Sequence, residues 1–179
     1  MKKWLKAAVL SIVLMISFLA FAGWAFRPVI EYSLETLPDS INFSYGVPMI
    51  VDLFYRNDGN IDADLNLTLT ATNSNVLIID LVTNGTGSDP YFVVVSNSSQ
   101  GAVHVSGNMA IAHSHGGIQV VHVYPYGNPP NFTIKYTVVD TSPIFSMNGL
   151  ISHLFLERRG NLTEAVYVRT GDYQYQLLK

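Results

Sequence analysis

His113 and His115, one residue apart, are the densest potential chemistry in the chain. Neutral imidazole is the commonest ligand for copper, zinc or nickel, and at i and i+2 on a strand the two rings would share a face. His104, His122 and His153 are the other histidines that folding could bring to them. A closed site takes about four ligands. No third ligand stands at a defined spacing, and the Ser and Gly neighbours place the pair at an exposed loop or strand end. Carboxylates lead no further. Asp58, Asp62 and Asp64 crowd an expected hairpin without the acidic, Gly and closing Glu pattern of a calcium loop, so they read as turn formers. Glu157-Arg158-Arg159 reads as a solvated strand end. A serine nucleophile on a strained elbow would show as G-x-S-x-G, which is absent. With no Cys, thiol nucleophiles, disulfides and Cys-ligated metals are excluded. The expectation is a protein that is not an enzyme and holds no metal or organic cofactor.

The elements that must position these residues begin with an apolar segment. Lys2, Lys3 and Lys6 form a positive head, and residues 7–26 carry no charge. Ala20-Phe21-Ala22 followed by Gly23 matches the small-residue cut of a secretory signal, giving residues 1–22 as signal peptide. Equally, about 20 apolar residues at 1.5 Å rise span a hydrocarbon core of about 30 Å, so an uncleaved anchor is the alternative. Both readings keep the lysines inside and deliver the chain after Arg27 outside, to an extracellular or cell-surface location.

Asparagine acceptor patterns favour the same side of the membrane. Asn42, Asn66, Asn84, Asn97, Asn131 and Asn161 each precede Ser or Thr by two positions. With thirteen Asn and twenty-six Ser plus Thr in 179 residues, chance gives about two such matches. N-linked glycans on the exported surface are therefore expected.

Charge supports this picture. Charged residues are 13% and hydrophobic residues 49%, which excludes a disordered tail. Net charge is -3, and a chain cut after Ala22 would lose three of ten basic residues and fall to -6. Neither value suits a protein that grips nucleic acid. Having few carboxylates to protonate, the fold should also tolerate acid.

Beyond the apolar segment, period-two alternation dominates and no amphipathic helix of useful length is evident. Strands are expected at 47–55, 62–72, 75–83, 91–96, 102–105, 118–126, 132–139, 150–157, 165–169 and 173–178. Asn57-Asp58-Gly59, residues 84–87, Gly127-Asn128-Pro129-Pro130, Arg159-Gly160-Asn161 and Gly171-Asp172 punctuate them. Such spacing predicts an all-β, immunoglobulin-like antiparallel β-sandwich preceded by one hydrophobic helix. Tyr124, Tyr126, Tyr173 and Tyr175 fit its faces and suit lateral contact or, less readily, a sugar platform.

The segment Val47 to Thr72, a strand, an Asn-x-Gly turn and a strand, resembles CARDB-like immunoglobulin-type domains of prokaryotic surfaces. As a whole, the signal segment, short first strand, Cys-free sandwich and many sequons resemble subunits of archaeal extracellular threads and bundling pili. That resemblance implies assembly by donor-strand complementation. In residues 29–35, Ile30, Tyr32 and Leu34 share one face, as a strand adding to a neighbour's sheet requires. The organisation expected is then 1–22 signal or anchor, 27–37 candidate donor strand and 38–179 sandwich. The function expected is a structural subunit that polymerises head to tail with identical subunits. The alternative is a membrane-anchored binding or adhesion module in which the same residues form the first strand of their own sandwich. An exported protein binding metal through His113 and His115 is a distant third.

Overall fold

Leu65, Leu67 and Leu69 are buried while Asn66, Thr68 and Thr70 face outward, and this alternation repeats in Met49–Asn57, Gly116–Pro125 and Asn131–Asp140. A computed structural model describes residues 2–84, 91–97, 102–125 and 127–178, with the backbone alone for 75–84, 91–97, 102–106, 108 and 109. Helix α1 (Lys2–Ala25) leads into β1 (Val29–Glu35), β2 (Ser40–Asn42), β3 (Met49–Asn57), β4 (Ala63–Thr72), β5 (Ser74–Asn84) and β6 (Tyr91–Asn97). There follow β7 (Ala102–Ile111), β8 (Gly116–Pro125), β9 (Asn131–Asp140), α2 (Met147–Phe155), β10 (Glu157–Gly160), β11 (Glu164–Gly171) and β12 (Gln174–Leu177). The protein is an all-β sandwich with an N-terminal helix.

One sheet runs β10-β1-β3-β8-β5 and the other β2-β12-β11-β9-β4-β7-β6. Among the described residues, all pairings are antiparallel except β1 with β10. Between the sheets lie Ile30, Leu34, Val51, Leu53, Val121 and Val123 from one side and the β4, β9 and β11 side chains from the other. Phe132 stacks on Tyr167 with centroids 4.9 Å apart and meets Tyr175 edge-on at 5.1 Å. Such aromatic pairs add about 0.5–1.5 kcal/mol each beyond area burial.

Two sequence expectations are corrected. First, residues 150–157 do not form a strand: most of them belong to α2. Ser146 caps it, its Oγ accepting from Gly149 N–H, and Met147, Leu150, Ile151 and Leu154 repeat with helical spacing. The expected absence of an amphipathic helix fails at the same place. Second, Asn57-Asp58-Gly59 does not close a hairpin, because β3 and β4 belong to different sheets. The turn is a crossing held by the fully buried side chain of Asn57, as detailed below. His113-Ser114-His115, expected at an exposed loop or strand end, forms the turn between β7 and β8, with Ser114 at φ +62°. The turn at 85–87, the second halves of the Asn84 and Asn97 sequons, and Tyr126 lie outside the described residues, as do the Asn84, Asn97 and His104 side chains.

Strand register orients the sandwich. Ile30 pairs with Asn57 and Leu65 with Asp140, so the start of β1, the ends of β3 and β9 and the start of β4 share the end where α1 enters. Residues 127–131 and the β11–β12 turn lie at the opposite end, since Thr72 pairs with Thr133 and Val168 with Asn131.

Candidate functional site

Helix α1 is a 24-residue, exposed apolar helix with mean hydropathy 2.3 and could cross a membrane by length and composition. Only Phe26, Arg27 and Pro28 separate it from β1. That short exit is fastened from three directions. Asn60 Nδ2 donates to Ala25 O at 2.9 Å. Arg27 donates through one terminal nitrogen to Trp24 O at 2.7 Å, and its guanidinium lies 4.4 Å from the Trp24 ring centroid. Its Nε and other terminal nitrogen both donate to Glu157 Oε2, the Nε at 2.9 Å. Glu157 also accepts from Arg159 Nε at 2.7 Å. Hydrogen bonds from Arg27 first, then from Arg159, hold the Glu157 carboxyl below the usual range.

The crossing turn sits directly beneath this exit. Asn57 Oδ1 accepts from Gly59 N–H at 2.9 Å and from Val29 N–H at 3.4 Å, while Nδ2 donates to Ile61 O at 2.8 Å and Ile111 O at 3.2 Å. One buried amide thus ties β1, the crossing and the end of β7 together. A Cβ on Gly59 would stand 2.5 Å from Arg27 O and Val29 N, so only Gly lets the backbones approach. The N-D-G signal is real, and what it encodes is this junction.

The histidine pair borders the same end. His113 N–H and Nδ1–H both donate to Asp62 Oδ1 at 2.9 Å, lowering the Asp62 pKa, chiefly through the backbone bond. His115 Nδ1–H instead donates to His113 O at 2.8 Å. The two rings are engaged by different partners, and His122 sits in mid-strand on β8. Among the described residues, no three His, Asp or Glu side chains gather as a metal site.

His153 belongs to another cluster, on α2. Ser152 Oγ donates to Asp140 Oδ2 at 3.0 Å, Ser142 N–H donates to Asp140 Oδ1 at 3.0 Å, and Asp64 N–H donates to Ser142 Oγ at 3.0 Å. His153 Nε2–H donates to Ser142 O at 2.6 Å, with Nδ1 3.3 Å from Asp140 Oδ2. This Ser, His and Asp set differs from a nucleophile relay: the Ser152 hydroxyl is fully buried and donates to the carboxylate, and the imidazole faces a backbone carbonyl. It clamps α2 to the start of β4 and the end of β9. The result inverts the usual amphipathic arrangement. Gly149 and Ser152 face the protein, while Ile144, Phe145, Met147, Leu150 and Leu154 are exposed. Sequence reading missed this surface, although the Ser146 cap and the 147, 150, 151, 154 spacing were visible.

The candidate donor residues lie inside the chain's own fold. Ile30 and Leu34 are buried, Tyr32 meets Tyr136 edge-on at 5.6 Å, and β1 is hydrogen-bonded between β3 and β10. Of the sequon asparagines, Asn42, Asn131 and Asn161 are exposed. Asn66 is half-buried in β4, where its Oδ1 accepts from Thr68 Oγ1. Arg158 and Arg159 are solvated, as expected.

At the far end, Asn128 braces the 127–130 loop. Its Nδ2 donates to Asp172 Oδ1 at 2.6 Å, and its Oδ1 accepts from Tyr173 N–H and from the Tyr175 hydroxyl, each at 3.2 Å. Tyr173 is exposed at this braced rim and Tyr45 nearby, since Phe43 N–H donates to Tyr173 O at 2.9 Å.

No family model matches the chain, and no curated protein matches it. Solved structures with some likeness include cohesins. One is a non-cellulosomal cohesin from the archaeon Archaeoglobus fulgidus, 11% identical over 76% of this chain and 90% of that one, with TM-score 0.37. Another is the sixth cohesin of Acetivibrio cellulolyticus scaffoldin B, in complex with a dockerin, 11% identical over 74% and 98% with TM-score 0.38. A type III cohesin module from a cell-surface anchoring scaffoldin of Ruminococcus flavefaciens is 8% identical over 79% and 91%, with TM-score 0.40.

Proposed function

We propose that the protein is a membrane-anchored, cell-surface β-sandwich that displays its far rim to a surface partner and has no catalytic activity of its own. The observation that carries this reading is the junction between α1 and β1. The strand a filament subunit would donate is already paired on both edges within its own chain, three residues from a helix whose exit is fastened to the 57–61 turn and to Glu157. A strand so placed has little freedom to reach a neighbour, which favours the anchored module over donor-strand polymerisation.

Retention of α1 has independent support. Trp4 and Trp24 stand twenty positions apart, about 30 Å along a helix at 1.5 Å rise, which matches the thickness of the hydrocarbon core. Tryptophan concentrates at both membrane interfaces. Lys2, Lys3 and Lys6 then lie on the inner side and the sandwich on the outer. Tyr45 and Tyr173 on the braced far rim offer rigid amphipathic contact area, and the exposed sequons Asn42 and Asn131 flank that end as glycan acceptors.

Cell fractionation tests the reading. The full chain should stay with membranes through an alkaline wash and sediment as a monomer in mild detergent. Recovery as a polymer, or as free protein in the medium, would overturn it.

A further inference from the structure

The exposed apolar face of α2 has no partner within the sandwich, and its position names one. We propose that α2 and the preceding Ile144-Phe145 form an interfacial element that lies in the outer leaflet of the bilayer that α1 crosses, a proposal that rests on retention of α1.

Four observations converge on lipid. Phe145 is fully exposed and Met147 and Leu154 are exposed at 71% and 65%, values a soluble helix reserves for polar side chains. From Thr141 to Leu156 there is no Asp, Glu, Lys or Arg. The only titratable side chain there, His153, directs both ring nitrogens inward to Ser142 O and Asp140. The surface is also continuous with α1. A Cβ on Gly23 would stand 2.5 Å from Phe155 Cε2, so α2 rests directly on the outer end of α1, where Phe21, Trp24 and Phe26 are exposed too. Finally, the seating is polar: Ser152 and His153 hold α2 to Asp140 and Ser142, which leaves its apolar face turned away from the protein.

Physically, a short helix beside a spanning helix sits at the headgroup and acyl boundary, with its apolar face buried about 5–10 Å. Arg158, exposed immediately after α2, then meets lipid phosphate. Two rigid contacts with one membrane, α1 and α2, would fix the sandwich's tilt, where a lone helix would leave it free to swivel. No sequon asparagine lies between Asn131 and Asn161, so no glycan is attached to this surface.

The absence of Cys makes the test direct. Single cysteines at Met147, Leu150, Val13 and Tyr45, all exposed positions, are introduced in the full chain, labelled with a fluorophore and reconstituted in phosphatidylcholine vesicles with nitroxide lipids. The labels at 147 and 150 should be quenched several-fold more strongly than the label at 45. The label at 13 reports the anchor separately. If it is quenched while those at 147 and 150 behave like that at 45, the α2 proposal is overturned and the anchor stands. If the label at 13 is not quenched, the anchor itself fails and the proposal falls with it. Labels at 147 and 150 shielded from both lipid nitroxides and aqueous iodide, in a protein that sediments as a dimer, would assign the face to a second copy and overturn the proposal.

Discussion

Gly23 of α1 packs against the ring of Phe155 in α2, so closely that a Cβ would stand 2.5 Å from Phe155 Cε2. Any larger residue at 23 must displace the Phe155 ring or push the two helices apart. Gly23→Leu should therefore destabilise the full chain in detergent by about 1–3 kcal/mol, the usual cost of overpacking. Phe155→Ala should relieve most of that cost. A double-mutant cycle read by chemical unfolding checks the coupling, and additive effects would show that the helices do not touch.

Asn57 is the junction's second fixed point. Asn57→Ala leaves Val29 N–H, Gly59 N–H and the carbonyls of Ile61 and Ile111 without their side-chain partner. Losing buried partners costs about 1–3 kcal/mol per group, so with four groups affected a loss of about 4 kcal/mol or more is expected. Denaturant midpoints measure it, and Asn57→Asp should recover part of the loss by keeping the acceptor for Val29 and Gly59.

These two positions show what the sequence made legible. Period-two alternation in β4 and β9 predicts the sandwich directly, because inner and outer faces differ in solvent. Asn57-Asp58-Gly59 marks a turn correctly, but turn chemistry alone does not say whether the next strand stays in the same sheet. Residues 150–157 read as a strand because Leu and Ile suit either element, and an apolar helix face turned outward breaks the rule that such faces seek the core. The histidine pair is expected at an exposed loop or strand end and lies in a turn, while its link to Asp62 depends on a contact between residues 51 positions apart.

Because β1 is part of its own sheet, Ile30→Ala should act inside the monomer. It removes a fully buried side chain and should cost about 2–5 kcal/mol. The midpoint should not change with protein concentration. A concentration-dependent loss would instead point to strand exchange between subunits.

Acid should do little damage. Glu157 and Asp62 have folded-state pKa values below their ordinary ones of about 4.3 and 3.9. A depressed carboxyl contributes stability above its unfolded pKa, and that contribution is lost as pH falls through the folded value. Melting temperature should therefore stay flat from pH 7 to 5 and decline gradually only below about pH 4, since both groups are solvent-screened. Cooperative unfolding between pH 5 and 3 would contradict this.

The central claim is that α1 stays attached and holds the sandwich at the membrane. Intact mass and N-terminal sequencing of the protein recovered from cell membranes test it most directly. The account predicts a chain that retains Lys2 to Ala22 ahead of the sandwich, with any added mass attributable to glycans. A chain that begins at Gly23 would contradict it.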